Sequence, residues 1–155
     1  MCECEQKPYI ASVLKWTEPL TVVFSAYNIP YWQNENVDST SLSGVSASGI
    51  LYVYGNAPET VVSAIVTAQA TLKRIVLTVE DTAMTISGIN VAKGRSLILS
   101  YTDDGIQQIV YNGASMLAYR TGADDLIAKC GQNNNVSFNA DAQCRVEFTA
   151  RGLWE

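Results

Sequence analysis

The sequence predicts an all-β fold, an antiparallel sandwich or barrel, on three observations. Apolar residues recur at every second position, turn residues punctuate the chain at short intervals, and helical periodicity is nearly absent. Alternation of this kind puts one face of each strand into a core and the other into water. The clearest case is Gln143 to Arg151, where Cys144, Val146, Phe148 and Ala150 are expected inside and the polar residues between them outside.

In chain order, strands are expected at Tyr9 to Leu14, Leu20 to Tyr27, Ile50 to Tyr54, Val61 to Ala68, Leu72 to Val79 and Ala83 to Ser87. Further strands are expected at Ser96 to Tyr101, Ile106 to Tyr111, Asn135 to Asn139 and Gln143 to Arg151. The alanines of Val61 to Ala70 suit a helix, yet Val62, Ala64, Val66 and Ala68 alternate with Ser63, Ile65 and Thr67. Asn56 and Pro58 precede the run as a turn would, so it is assigned to strand. The stretch QNENVDSTSLSGVSAS, Gln33 to Ser48, is small and polar and reads as an exposed loop. The expected organisation is therefore a strand arm at 1–35, a linker at 36–48 and a β domain at 49–155.

A chain of 155 residues fits one ordinary domain with a short arm. Apolar residues make up 48% and charged residues only 16%, which excludes a disordered chain and a highly charged nucleic-acid binder. The net charge of −5 argues against phosphate backbones and anionic membrane surfaces as partners. No run approaches the roughly 20 apolar residues of a membrane span. Cys2, Cys4, Cys130 and Cys144 lack the paired knuckles of familiar zinc sites and read as reduced thiols, with no metal or cofactor expected.

Histidine is absent, which removes the commonest general base and the Ser-His and Cys-His nucleophile pairs. The carboxylate doublets Glu80-Asp81, Asp103-Asp104 and Asp124-Asp125 remain, each between strand-like runs. In YTDDGIQQIVYNG, Asp104-Gly105 and Asn112-Gly113 are dipeptides that supply positive φ to tight turns. They bracket Ile106 to Tyr111, so the segment reads as turn, strand, turn. A calcium loop would need oxygen ligands where Ile106 and Ile109 stand. No catalytic residue is expected.

The aromatic residues Trp16, Tyr27, Tyr31 and Trp32 either close the ends of a core or form an interface or sugar-contact surface. The polar run Gln132, Asn133, Asn134 and Asn135 reads as a turn, with sugar contact as the alternative, and Tyr119 and Arg120 are further candidates for a sugar site. Trp154 is expected to pack at the end of the last strand.

Three stretches carry a resemblance to a known family. MTISGINVAKGRSLILSY places Lys93-Gly94 at a turn between strands, and IQQIVYNGASMLAYRTG is a strand-turn-strand element around Asn112-Gly113. AKCGQNNNVSFNADAQCRVEFTARGLWE closes with paired strands, a turn at Gly131 and Asn133, and an aromatic end at Trp154. Together they resemble the C-terminal half of the distal tail proteins, Dit-type baseplate components of tailed phages and prophages. PYIASVLKWTEPLTVVFSAYNIPYWQNE is similar to the end of that family's first domain.

The resemblance implies a galectin-like jelly-roll sandwich with an N-terminal β arm, and a structural role between the tail tube and the receptor-binding apparatus. It implies other tail and baseplate proteins as partners, a hexameric ring as the oligomer, and a place in the virion tail after assembly in the bacterial cytoplasm. The arm, at about 35 residues, is shorter than a ring-forming domain, as in a fragment or a shortened relative whose arm completes a neighbour's sheet. A carbohydrate-binding module that takes a glycan at the host surface is the alternative expectation. Neither reading involves nucleic acid or membrane insertion.

Overall fold

The structure, a computed structural model, describes residues 2–4, 24–26, 32–102 and 105–154. The chain divides into two units, Met1–Pro30 and Tyr31–Glu155. In the first, β1 (Cys2–Cys4) and β2 (Phe24–Ala26) pair antiparallel with Cys2 opposite Ala26. The expected strand at Tyr9 to Leu14 and most of that at Leu20 to Tyr27 lie outside the described residues.

The second unit is an antiparallel sheet. Its strands are β3 (Trp32–Val53), β4 (Thr60–Ala68), β5 (Leu72–Val79), β6 (Thr82–Val91), β7 (Ser96–Tyr101), β8 (Gln107–Tyr111), β9 (Ala114–Ser115), β10 (Arg120–Gly122), β11 (Ile127–Ala128) and β12 (Gln132–Trp154). Among the described residues one 3-10 turn, Leu117–Tyr119, interrupts them. The order across the sheet is β10-β6-β5-β12-β4-β7-β8-β9, with β11 beside β4 and β3 beside β12.

β12 organises the sheet. Along one side it pairs with β3 from end to end, and along the other it pairs first with β5 (Val136 opposite Val79) and then with β4 (Cys144 opposite Ala68). Strands of 22 and 23 residues would each run about 70 Å if straight, several times the roughly 14 Å radius of gyration of a domain this size. The ribbon therefore bends. The bend falls where residues 140–143 of β12 stand opposite Val45 alone, at a register shift between Asn139 and Cys144. There Asp141 Oδ1 accepts the backbone N–H groups of Lys73 and Arg74 at 3.1 and 3.2 Å, and the Gln143 carbonyl accepts that of Gln69 at 2.8 Å.

The bend curls the sheet over a single core that unites Leu77, Met84 and Ile86 from one limb with Leu97, Leu99 and Ile109 from the other. Large side chains meet small ones across strands: buried Phe148 lies in register between Ala64 and Thr40, and Phe138 between Leu77 and Ala47. Opposite limbs of β3 also face each other, since a Cβ on Gly49 would come within 2.8 Å of Leu42 Cδ2.

The Asn112-Gly113 turn forms as expected, with φ of 50° and 79° joining β8 to β9. Gly105, at φ 75°, closes the β7–β8 turn by donating to the Thr102 carbonyl at 2.9 Å; Asp103 and Asp104 lie outside the described residues. Two expectations need correction. Residues 36–48 are not a linker but the first part of β3, because β12 supplies a hydrogen-bonded partner along almost all of that stretch. The strands expected at Asn135 to Asn139 and Gln143 to Arg151 are one strand that continues through the bend.

Candidate interaction surface

The outward face of the β4 limb is built from short hydroxyl side chains crossed by an aliphatic row. In register across four strands stand Glu147 of β12, Ile65 of β4, Ile98 of β7 and Val110 of β8, with Ser41 of β3 completing the row. Thr67 and Ser96, one pair further along, hydrogen-bond each other at 3.0 Å, and Arg145 Nη2 donates to Ser41 Oγ at 3.2 Å. Such a face holds exposed isoleucines in its middle, with Glu147 and Arg145 alongside.

On the other limb, Ile50, Tyr52 and Tyr54 of the β3 edge point outward and are 57%, 41% and 56% exposed. The two tyrosine rings meet edge to face with centroids 4.7 Å apart. Asn133 and Asn135 of β12 stand in register beside Tyr52 and Ile50, also exposed. Sequence reasoning found the strand but not this row. Its signal was ILYVY itself, where large residues occupy both faces.

Of the residues singled out from sequence, Trp16, Tyr27 and Tyr31 lie outside the described residues. Trp32 is 71% exposed and stands in register with Trp154 at the end of the β3–β12 ribbon. Trp154, expected to pack, is 43% exposed. Gln132 and Asn133 are exposed.

Asn134 is a different case. It is fully buried and its amide is spent internally: Oδ1 accepts the Lys129 N–H at 2.7 Å, and Nδ2 donates to the carbonyls of Leu51, Lys129 and Gln132 at 3.3, 3.0 and 3.1 Å. The side chain closes the turn between β11 and β12 and is not presented to a ligand. Of the run Gln132 to Asn135, the other three residues face solvent.

Glu80 and Asp124, from two of the carboxylate doublets, hold turns. Glu80 sits at φ 47° in the β5–β6 turn and bonds Asn135 of β12 twice, through its own N–H and by accepting the Asn135 N–H. Asp124 Oδ1 pairs with Arg120 Nη2 at 2.7 Å. Arg120 Nη1 donates to Gln107 Oε1 at 2.8 Å and to the Asp124 carbonyl at 2.6 Å, while Gln107 Nε2 donates to the Tyr101 hydroxyl at 3.2 Å. This network ties the loop between β10 and β11 to β7 and β8. Burial raises the Tyr101 phenol above its ordinary value; the Gln107 bond opposes the shift and the Asp125 charge adds to it. Gln107 gave no local sign of this role, since its position in IQQIVY suggests only a strand. Tyr119 is exposed and lies over Gly88.

Among the described residues no three of the cysteines, aspartates and glutamates converge into a group that could hold a metal ion. No family model matches the chain. A search of the curated proteins finds no match either.

Proposed function

We propose that the chain is a structural component of a phage or prophage tail tip or baseplate, joining the tail tube to the receptor-binding apparatus through protein–protein contacts. It works without a catalytic centre, as a subunit of a homo-oligomer in the virion tail. Support for the phage context comes from the resemblance of its strand-and-turn segments to the distal tail proteins, and the curled sheet is read in that light as a galectin-like jelly roll.

One observation carries the structural role. The exterior of the sheet places exposed Ile65 and Ile98 in one row and Ile50, Tyr52 and Tyr54 in another, beside hydroxyl and amide side chains and, on the first face, Arg145 and Glu147. Exposed apolar rows rimmed by polar groups are what a contact surface uses. The test is the mass of the purified chain by sedimentation across a concentration series. A defined oligomer is the expected result.

A second reading, a carbohydrate-binding module, is favoured by Tyr52 and Tyr54 beside Asn133 and Asn135, since tyrosine rings stack on sugars and amides bond their hydroxyls. A chain that stays monomeric and binds glycans saturably would support this reading against the first.

A further inference from the structure

We propose that the outer edge of β3 pairs antiparallel with the same edge of a second copy of this chain, closing a two-fold dimer. The inference deepens the structural reading above and rests on it.

Among the described residues β12 is the only strand that pairs with β3, so the far edge of a 22-residue strand presents its backbone N–H and C=O groups outward. Proteins normally blunt such an edge with lysine, proline, inward charges or a very short strand. Over Ser39 to Val53 these devices are missing: that part of the strand holds no charged residue and no proline, while Glu35, inward Asp38 and the register shift opposite Arg151–Leu153 are confined to its first residues. The curl matters as well. Because Asp38 meets Tyr54 and Leu42 meets Gly49, both limbs of β3 run along the same side of the sheet, and a neighbour would find two edges together.

The chemistry selects a copy of this chain as the occupant. The limb from Ser46 to Val53 is neutral, with small residues at Ser46 to Gly49 followed by outward Ile50 and Tyr52. Antiparallel self-pairing centred within Ser48 to Leu51 sets neutral residues against neutral residues and outward apolar groups near their equivalents. The acids of β3, Glu35 and Asp38, lie on the other limb, clear of the two-fold axis. A partner strand rich in lysine would gain nothing from the Ser46–Val53 edge. Self-pairing is also closed: each copy covers the other's edge, and no further copy can add there.

The test uses the full chain. Ser48→Lys and Ile50→Lys each place a cation on an exposed edge position, where a two-fold would bring it against its own copy. Sedimentation of the wild type should show dimers, with association at least tenfold weaker in both variants and the far-UV circular dichroism of the folded chain unchanged. In a background carrying Cys2→Ser, Cys4→Ser and Cys130→Ser, single cysteines are then introduced as Ser46→Cys, Ser48→Cys, Ile50→Cys and, on the opposite edge, Ser115→Cys. Oxidation should cross-link efficiently at only one or two positions near the axis and not at Ser115→Cys. A wild type that is monomeric at all concentrations, or an oligomer indifferent to both lysines, overturns the proposal. The second outcome leaves the structural reading standing, whereas a monomer that binds glycans saturably removes both.

Discussion

The backbone N–H of Tyr54, the residue that follows β3, donates to Asp38 Oδ2 of that strand at 2.9 Å, joining two points 16 residues apart. A strand cannot reach its own earlier residue unless it doubles back, so this bond reports the curl of β3 directly. Replacing Asp38 with Ala removes the acceptor from a partly solvated N–H and should cost about 1 kcal/mol, read as a fall of a few degrees in the thermal midpoint. Asp38→Asn keeps an acceptor oxygen and should lose less.

The same end of the sheet is closed by a tighter contact. A Cβ on Gly152 would stand 1.5 Å from the Tyr54 carbonyl oxygen, and Leu153 O accepts the N–H groups of Asn56 and Ala57 at 3.0 and 3.1 Å. Gly152→Ala should therefore displace the segment after β3 and destabilise by about 3 kcal/mol or more. Gly94 is the control: it has φ 77° and open space around its Cβ position, so Gly94→Ala should cost only about 1 kcal/mol from backbone strain. Equal losses in chemical denaturation would refute the steric account.

Asn134→Ala would leave the Lys129 N–H and three carbonyls without the amide that serves them in a buried site. A loss of about 2 to 3 kcal/mol is expected by urea denaturation. Gln132→Ala and Asn133→Ala, both exposed, should stay within about 0.5 kcal/mol of the wild type. If Asn134→Ala were equally mild while glycan binding disappeared, the amide would be a ligand contact and not a turn clasp.

Much of this fold is legible in the sequence because its strands carry their own pattern. Leu72–Val79 and Ser96–Tyr101 match their expected bounds, since each is a short run rich in large and β-branched apolar residues with turns at both ends. Gln33 to Ser48 fails for a physical reason. Its inward positions are Asp38, Thr40, Leu42 and Gly44, mostly small or polar and only half-buried, so the local pattern is faint and pairing with β12 decides the structure. The alternation of β12 runs unbroken through Ala140, Asp141, Ala142 and Gln143, but the inward residues there are only small alanines, so the stretch reads as a gap between two strands. Asn134 sits in a polar run whose composition suits an exposed turn, and nothing local marks which amide is turned inward.

Alkaline pH should weaken the fold through Cys144. Burial, with the nearby Asp141 charge adding to it, pushes the thiol from 9.0 up to about 11. A raised acid is held in its protonated form by the fold, so its contribution is intact below about pH 9 and is lost as pH climbs through about 11. The loss should approach on the order of 2 kcal/mol. Cys144→Ala should flatten the fall in thermal midpoint between pH 8 and 11, leaving the share due to Tyr101. Of the two free thiols of the curled sheet, a thiol reagent at pH 8 should label half-buried Cys130 and spare Cys144 until unfolding.

β12 is the last strand of the sheet to leave the ribosome, yet it holds β3, β4 and β5 in place. Until residues 132–154 emerge, β3 has no partner among the described strands, and β4 and β5 lack the neighbour that sets one against the other. Pairings such as Trp32 with Trp154 span almost the whole second unit, which makes closure slow and dependent on distant contacts. Nascent chains must therefore carry their uncharged serine-rich segment and aliphatic strands unpaired through most of synthesis. The interval between the appearance of β3 and the arrival of β12 is when this protein is most exposed to misassembly.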